Sequence, residues 1–325
     1  MGLDKLDVDV KEEGTTTSLI RGIAFRLKKM GYRIGGFDAC MESDVLPGSG
    51  LSSSASVEVL IGTIFNAFFN DNSIPPETIA IIGQYAENNY FGKPCGLMDQ
   101  VACAMGGIVT IDFKDPQEPV IKKVGFDFDA QKYNLLVVDT GGTHADLKDD
   151  YASVPTEMKS VAKAMGNTVC REISMDRLLA NLGPLRGETG DRALLRAMHY
   201  LGDNGRVLDQ VEALENDDFD LFLKLVRDSG NSSFKWLQNI FSTSNTKEQG
   251  VALALVLTEM YLDRVKAGAC RVHGGGFAGT IQVFLPMETV GDYIDLMEPV
   301  FGKNSVHVLR IRSVGTLHLN QLLED

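Results

Sequence analysis

"LPGSGLSSSASVEVL", residues 46–60, decides how the chain is read. Gly48 and Gly50 flank Ser49, Leu51 follows, and then come three consecutive hydroxyls, Ser52, Ser53 and Ser54, before an apolar run that extends to Asn70. Glycine opens backbone conformations closed to other residues. A helix that starts near Ser53 leaves its first N–H groups unpaired at a partly positive end. A phosphate can occupy that position, provided the residues before the helix are small. The stretch therefore suits a polyphosphate laid against a helix start, with serine hydroxyls available to phosphate oxygens or a metal ion. The alternative is a tight turn followed by a serine-capped helix. The loop is not a Walker loop, because the lysine of G-x-x-x-x-G-K-[ST] is absent.

Outward from this loop, residues 17–30 set Leu19, Ile20, Ile23, Phe25 and Leu27 against Arg21, Arg26, Lys28 and Lys29, which predicts an amphipathic helix stopped at Gly31. "YRIGGFDACMESD" (32–44) is short and apolar enough for a strand. Residues 55–70 predict a buried helix, and "NSIPPETIAIIGQYAENNYF" a loop, a proline start and a further helix. "GGIVTIDF", "IKKVGFDFD" and "YNLLVVDT" read as strands. After Thr140 the composition changes: residues 150–265 carry long helical patterns, and the rest returns to mixed α and β with "RVHGGGFAGTIQVFLP", a helix near 287–300 and "SVHVLRIRSVG". This places a soft domain boundary at 140–150, giving domains 1–145 and 146–325.

The 325 residues suffice for two domains. A net charge of -13 argues against nucleic acid or an anionic membrane as the main partner. The five cysteines are scattered with no C-x-x-C pair, which reads as reduced thiols in a cytoplasmic protein. The five histidines contain no H-x-x-x-H pair, which argues against zinc. The charged opening "MGLDKLDVDVKEEG" does not read as a secretory signal, and "VALALVL" at 251–257 falls far short of a membrane span.

"PGSGLSSSAS" (47–56), "CGLMDQ" (95–100), "VVDTGGTHADLKDDYASVP" (137–155) and "HGGGFAGT" (273–280) occur in that order. Together they resemble the galactokinase branch of the GHMP kinase family, and the resemblance runs from about Gly14 onward. It implies an α/β (α+β) fold of two domains, a sheet backed by helices and then a helix-rich ferredoxin-like unit, with ATP and Mg2+ as cofactors and galactose as the sugar partner, phosphorylated at its anomeric hydroxyl. It further implies roles for individual residues: Asp99 as the catalytic base, Gly48, Ser49, Gly50, Leu51, Ser52, Ser53 and Ser54 around the triphosphate, Ser54 with Glu87 on magnesium, and Gly96, Asp99, Tyr151 and Gly275 at the sugar. Gly274, Gly275, Gly276 and Gly279 form its glycine loop.

Each of these residues has a plainer reading. Asp99 can be a helix cap or half of an ion pair, Glu87 a solvated helix residue in "QYAENNY", Tyr151 a core tyrosine, and "HGGGFAG" a glycine-rich hairpin. His144 reads as structural, and the stripe Phe219, Phe222, Leu223, Leu225 and Val226 as core. Ala152 and Ala278 depart from the family pattern, which has Asn after the tyrosine and Gly after the phenylalanine. The family's segment G-R-[VI]-N-[LI]-[IL]-G-E-H-x-D-Y, with an arginine for the phosphoryl group and a grip on the sugar, finds no match. The expectation is therefore weak or undetectable galactose phosphorylation and a bare sheet edge in the first domain. A non-catalytic sugar and nucleotide sensor, or a GHMP kinase for another sugar such as N-acetylgalactosamine, stay open as alternatives. A monomer or weak homo-oligomer is expected.

Overall fold

A computed structural model describes residues 2–43, 52–116, 118–142 and 147–322. Contacts divide the chain into two compact units, Met1–Val124 with Ile311–Asp325, and Gly125–Arg310.

The first unit opens with α1 (Thr16–Lys29), whose N-cap Thr15 accepts from the Ser18 amide and whose last turn holds Arg26, Lys28 and Lys29, the sign that suits a helix C-terminus. Leu19, Ile23, Ala24 and Leu27 are its buried face. They pack with Val59, Ile61 and Phe65 of α2 (Ser53–Phe69), with Ile79 and Ile82 of α3 (Pro76–Ala86), and with Val101 of α4 (Met98–Met105). Proline opens α3, where no backbone donor is needed. After α3 the helix widens into a single π turn, Glu87–Phe91, which Gly92 ends at φ +79°. Strands β1 (Ile108–Asp112) and β2 (Val120–Val124) pair antiparallel, Ile108 opposite Val124. The last segment returns to this unit through Arg312, whose carbonyl accepts from the Gly107 amide at 2.7 Å.

The strand expected over 32–44 does not form within the described residues 32–43. A strand needs a partner ladder, and here the Asn70 side chain takes both backbone groups of Arg33: Oδ1 accepts from its amide at 2.9 Å and Nδ2 donates to its carbonyl at 2.9 Å.

The second unit is built on a four-stranded antiparallel sheet: β3 (Tyr133–Asp139), β4 (Ala269–Val272), β5 (Thr280–Pro286) and β6 (Val306–Leu309), in the order β4-β5-β3-β6. Numbered from β3, this order is 2-3-1-4, the split arrangement of a ferredoxin-like βαββαβ unit. Between β3 and β4 run α5 (Lys148–Ala164), α6 (Met175–Ala180), α7 (Leu182–Thr189), α8 (Asp191–Glu215), α9 (Phe219–Ser232) and α10 (Gly250–Val265). α11 (Val290–Phe301) precedes β6. The division by contacts differs from the 145/146 boundary read from composition, because β3 is hydrogen-bonded between β5 and β6 of the second unit.

Alternation along the strands separates two faces. Leu136, Val138, Ile281, Val283 and Leu285 form a core with Leu255 and Tyr261 of α10 and Tyr293 and Met297 of α11. On the other face Phe284 meets Phe128 and Phe222 at ring separations of 5.7 and 5.5 Å, and Phe222 meets Phe219 at 5.8 Å, so the Phe219 stripe is core. Strands covered on both faces read as continuous apolar runs, as β5 does. A separate core joins α5, α6, α7 and α8 through Val161, Leu178, Leu185 and Leu194. Arg196, 1% exposed, donates to the Leu237 carbonyl at 3.1 Å, Ser153 Oγ at 2.8 Å and Glu157 Oε2 at 3.0 Å, which fixes α5 and α8 to each other. Among the described residues no helix is long and apolar enough to cross a membrane.

Candidate active site

The start of α2 is unusual for a serine-led helix. Ser52 holds the N-cap position in the left-handed region, φ 56° and ψ 57°, and its side chain makes no capping bond. A non-glycine residue there carries strain that other contacts must hold. The contact is Asp99: Ser52 Oγ donates to Asp99 Oδ2. Asp99 itself is exposed, in the first turn of α4. The capped-helix alternative is thus not what Ser52 does. Gly48, Ser49, Gly50 and Leu51 lie outside the described residues.

One residue into α2, Ser54 Oγ donates to Glu87 Oε1 at 2.9 Å. Glu87 opens the π turn and is 2% exposed, so it is not a solvated helix residue. Lys93 Nζ stands 3.5 Å from the same oxygen. The other oxygen, Oε2, accepts from Gln100 Nε2 at 3.0 Å, and that nitrogen also donates to Glu58 Oε2 at 2.9 Å. Glu58 is fully buried, and burial first, then the neighbouring Glu87 carboxylate against the opposing Gln100 bond, pushes its carboxyl up to about 8. Burial and then the bond to Glu87 push the Cys95 thiol up to about 12, which keeps it protonated and unreactive. Among the described residues no group of three or more His, Cys, Asp and Glu side chains forms a metal cage. A carboxylate oxygen beside a hydroxyl is nonetheless the sparse, hard donor set that magnesium takes when phosphate and water complete its shell.

Gly96 is exposed, does not have positive φ, and would place an added Cβ in open space. Nothing among the described residues requires glycine there.

The second unit holds the glycine loop. Tyr151 on α5 donates its hydroxyl to the Gly276 carbonyl at 2.8 Å, and its ring meets Phe277 edge-on at 5.4 Å. Burial, then Asp150, raises its phenol. A Cβ at Gly275 would lie 2.7 Å from the Tyr151 ring. Gly276 has φ +81° and would drive a Cβ into the Asn239 carbonyl. That carbonyl accepts from the Phe277 amide at 2.5 Å, and Asn239 Nδ2 donates to the Gly275 carbonyl at 3.1 Å. The loop closes the β4–β5 hairpin, as a glycine-rich hairpin does, and is moulded by Asn239 and Tyr151. Gly274 and Gly279 have φ +65° and +89°. Beside it a cleft of about 740 Å³ is lined by Thr140, Gly142, Ser242, Asn245, Phe277 and Ala278. His144 lies outside the described residues.

The structure thus brings Ser52, Ser54, Glu87 and Asp99 together in the first unit, and Tyr151 with Gly274–Gly276 in the second. Sequence reading passed over Glu58, Gln100 and Asn239. Two of these had a signal: Glu58 is the only charged residue in α2, and Gln100 closes the "CGLMDQ" motif.

The profile of the GHMP kinases N terminal domain matches residues 18–107. A galactokinase of Mycobacterium tuberculosis is 31% identical over 276 residues, covering 84% of this chain and 71% of that protein. The crystal structure of Lactococcus lactis galactokinase complexed with galactose superposes with a TM-score of 0.74 at 22% identity, covering 97% of this chain and 79% of that one. An L. major mevalonate kinase in complex with R-mevalonate gives a TM-score of 0.56 at 15% identity, covering 92% of this chain and 78% of the other.

Proposed function

The chain belongs to the galactokinase branch of the GHMP kinase family, and on that premise we propose that it transfers the terminal phosphoryl group of ATP to the anomeric hydroxyl of galactose. The C1 oxygen of the sugar forms a bond to the γ-phosphorus as the bond to the β,γ-bridging oxygen breaks, and ADP leaves. Phosphoryl transfer of this kind is chiefly positioning and charge neutralisation. Asp99 accepts the hydroxyl proton. Its exposure leaves it open to substrate, and the Ser52 hydroxyl fixes its orientation. The segment Gly48–Ser54, ending at the N-terminus of α2, cradles the triphosphate. Ser54 and Glu87 would hold Mg2+, which would supply charge neutralisation for the phosphates. Family resemblance gives sugar contacts to Gly96 in the first unit and, separately, to Tyr151 and Gly275 in the second, where the Asn239 bonds keep the glycine loop in shape.

On this reading the first unit is the nucleotide-holding domain of the family and the second its C-terminal domain. The scattered, unpaired cysteines suit an enzyme of the cytoplasm, working as a monomer or weak homo-oligomer.

One observation carries the reading: the hydroxyls of Ser52 and Ser54, at the start of one helix, bind a carboxylate each, the exposed Asp99 and the buried Glu87. ADP release from ATP and Mg2+ in the presence of galactose, N-acetylgalactosamine or homoserine tests it. Weak turnover with galactose, still above that with the other two, is the expected result. Absence of turnover with all three, or a preference for homoserine, would overturn it.

A further inference from the structure

α2 holds a single ionisable residue, Glu58, and it is completely buried one helical turn after Ser54. Residues four apart stack on one helix face, so the Ser54 hydroxyl and the Glu58 carboxyl stand on the same side of α2, toward Glu87 and Gln100. Those neighbours come from two other elements: Glu87 from the π turn after α3, and Gln100 from α4. Gln100 Nε2 spends one proton on Glu58 Oε2 at 2.9 Å and the other on Glu87 Oε2 at 3.0 Å. Glu87 Oε1 is thereby left turned toward Ser54 Oγ, 2.9 Å away. Gly83 of α3 makes the room: a Cβ there would lie 3.1 Å from Glu58 Cβ and 3.2 Å from Glu58 Oε2.

Gln100 is also the residue after Asp99. Neighbours on a helix diverge by about 100°, so holding Gln100 inward between the Glu58 and Glu87 carboxyl groups sets Asp99 outward, where it meets Ser52. The buried amide therefore fixes two things together, the rotation of α4 that aims Asp99 and the face that Glu87 offers with Ser54.

We infer that Glu58 is a positioning residue of the kinase site, acting through the Gln100 amide to orient Glu87 toward the metal-bound nucleotide and Asp99 toward the sugar hydroxyl. The proposal rests on the roles given above to Ser54, Glu87 and Asp99. It differs from simple core packing in what it requires of position 58, namely an acceptor for the Gln100 amide and not merely volume. Packing alone is served as well or better by an apolar side chain of similar size.

Glu58→Leu and Glu58→Gln separate the two. Glu58→Gln keeps an acceptor and should recover most of the wild-type behaviour. Glu58→Leu should melt at or above the wild-type temperature, yet lose about tenfold or more in kcat with KM for galactose little changed, the range seen when outer partners of metal ligands are removed. Electron paramagnetic resonance of Mn2+ with a non-hydrolysable ATP analogue gives a readout independent of turnover, and Glu58→Leu should weaken that Mn2+ binding severalfold. Should Glu58→Leu fail to fold, Gln100→Met removes the same bonds from α4 and should give the same pattern. Wild-type kcat and Mn2+ affinity in Glu58→Leu or Gln100→Met, or Glu58→Gln as impaired as Glu58→Leu, would overturn the inference. A wild-type chain inactive toward galactose, N-acetylgalactosamine and homoserine would instead remove the kinase reading itself.

Discussion

The two units each bury a polar cluster, and the clusters are built on opposite terms. In the second unit Asp203 Oδ1 accepts from Arg206 and, at 2.7 Å, from Ser229 Oγ, which itself accepts from Arg271 Nη1 at 2.7 Å. His199 Nδ1 pairs with Ser232 Oγ at 2.9 Å, with Asp203 Oδ2 3.8 Å from its other nitrogen. Opposite charges alternate and donors meet acceptors. In the first unit two carboxyl groups share one amide nitrogen, and Glu58 Oε1 and Gln100 Oε1 have no hydrogen-bond partner although both are buried. Such atoms cost stability and persist where geometry serves another end. The first cluster reads as the support of a reaction site, the second as the support of a fold.

That division can be broken by substitution. Asp99→Asn, at the edge of the first cluster, should lower kcat by about 10²–10⁴-fold, the range of a general base, while calorimetric titration finds nucleotide affinity kept. Asp203→Ala in the second should cost about 1–3 kcal/mol of stability in urea unfolding and leave the turnover of the folded fraction unchanged. Lost turnover at full stability would erase the distinction.

A smaller effect lies in acid. Burial holds His199 below its ordinary value of 6.5, with Asp203 opposing and Arg271 and Arg206 reinforcing the shift. The unfolded chain then binds a proton below pH 6.5 that the folded chain does not. Stability therefore falls as pH drops from 6.5 toward the folded-state value and levels off below it. His199→Gln should flatten this part of a melting-temperature profile, and an unchanged slope would show that His199 does not titrate on unfolding. The smallest change is expected for Lys93→Ala: Lys93 is 65% exposed and 3.5 Å from Glu87, so solvent screening holds the loss to below about 1 kcal/mol by thermal unfolding.

Much of this architecture was legible in the chain. The Leu19–Ile23–Leu27 face gave α1, the proline gave the start of α3, and β-branched runs gave β1, β3 and β5. The segment 32–43 misled because strand propensity says nothing of a partner ladder, and Asn70, 37 residues away from Arg33, supplied side-chain bonds instead. Glu87 lies four residues after buried Gly83, so ordinary helix spacing places it inward, and only its charge in "QYAENNY" suggested a solvated face. The metal role proposed for it rests on family resemblance. Asn239 had no local signature, since its partners, the Gly275 carbonyl and the Phe277 amide, come from a segment more than 30 residues on. Glu58 could have been found, as a lone carboxylate amid apolar neighbours in a helix otherwise without charge.

The most direct measurement is a crystal structure of the chain with Mg2+, galactose and a non-hydrolysable ATP analogue. The account predicts the β- and γ-phosphates against the amides at the start of α2, Mg2+ on Ser54 and Glu87, and the anomeric oxygen within about 3 Å of an Asp99 carboxylate oxygen. A nucleotide bound away from the α2 start, or Asp99 facing away from the sugar, would contradict it.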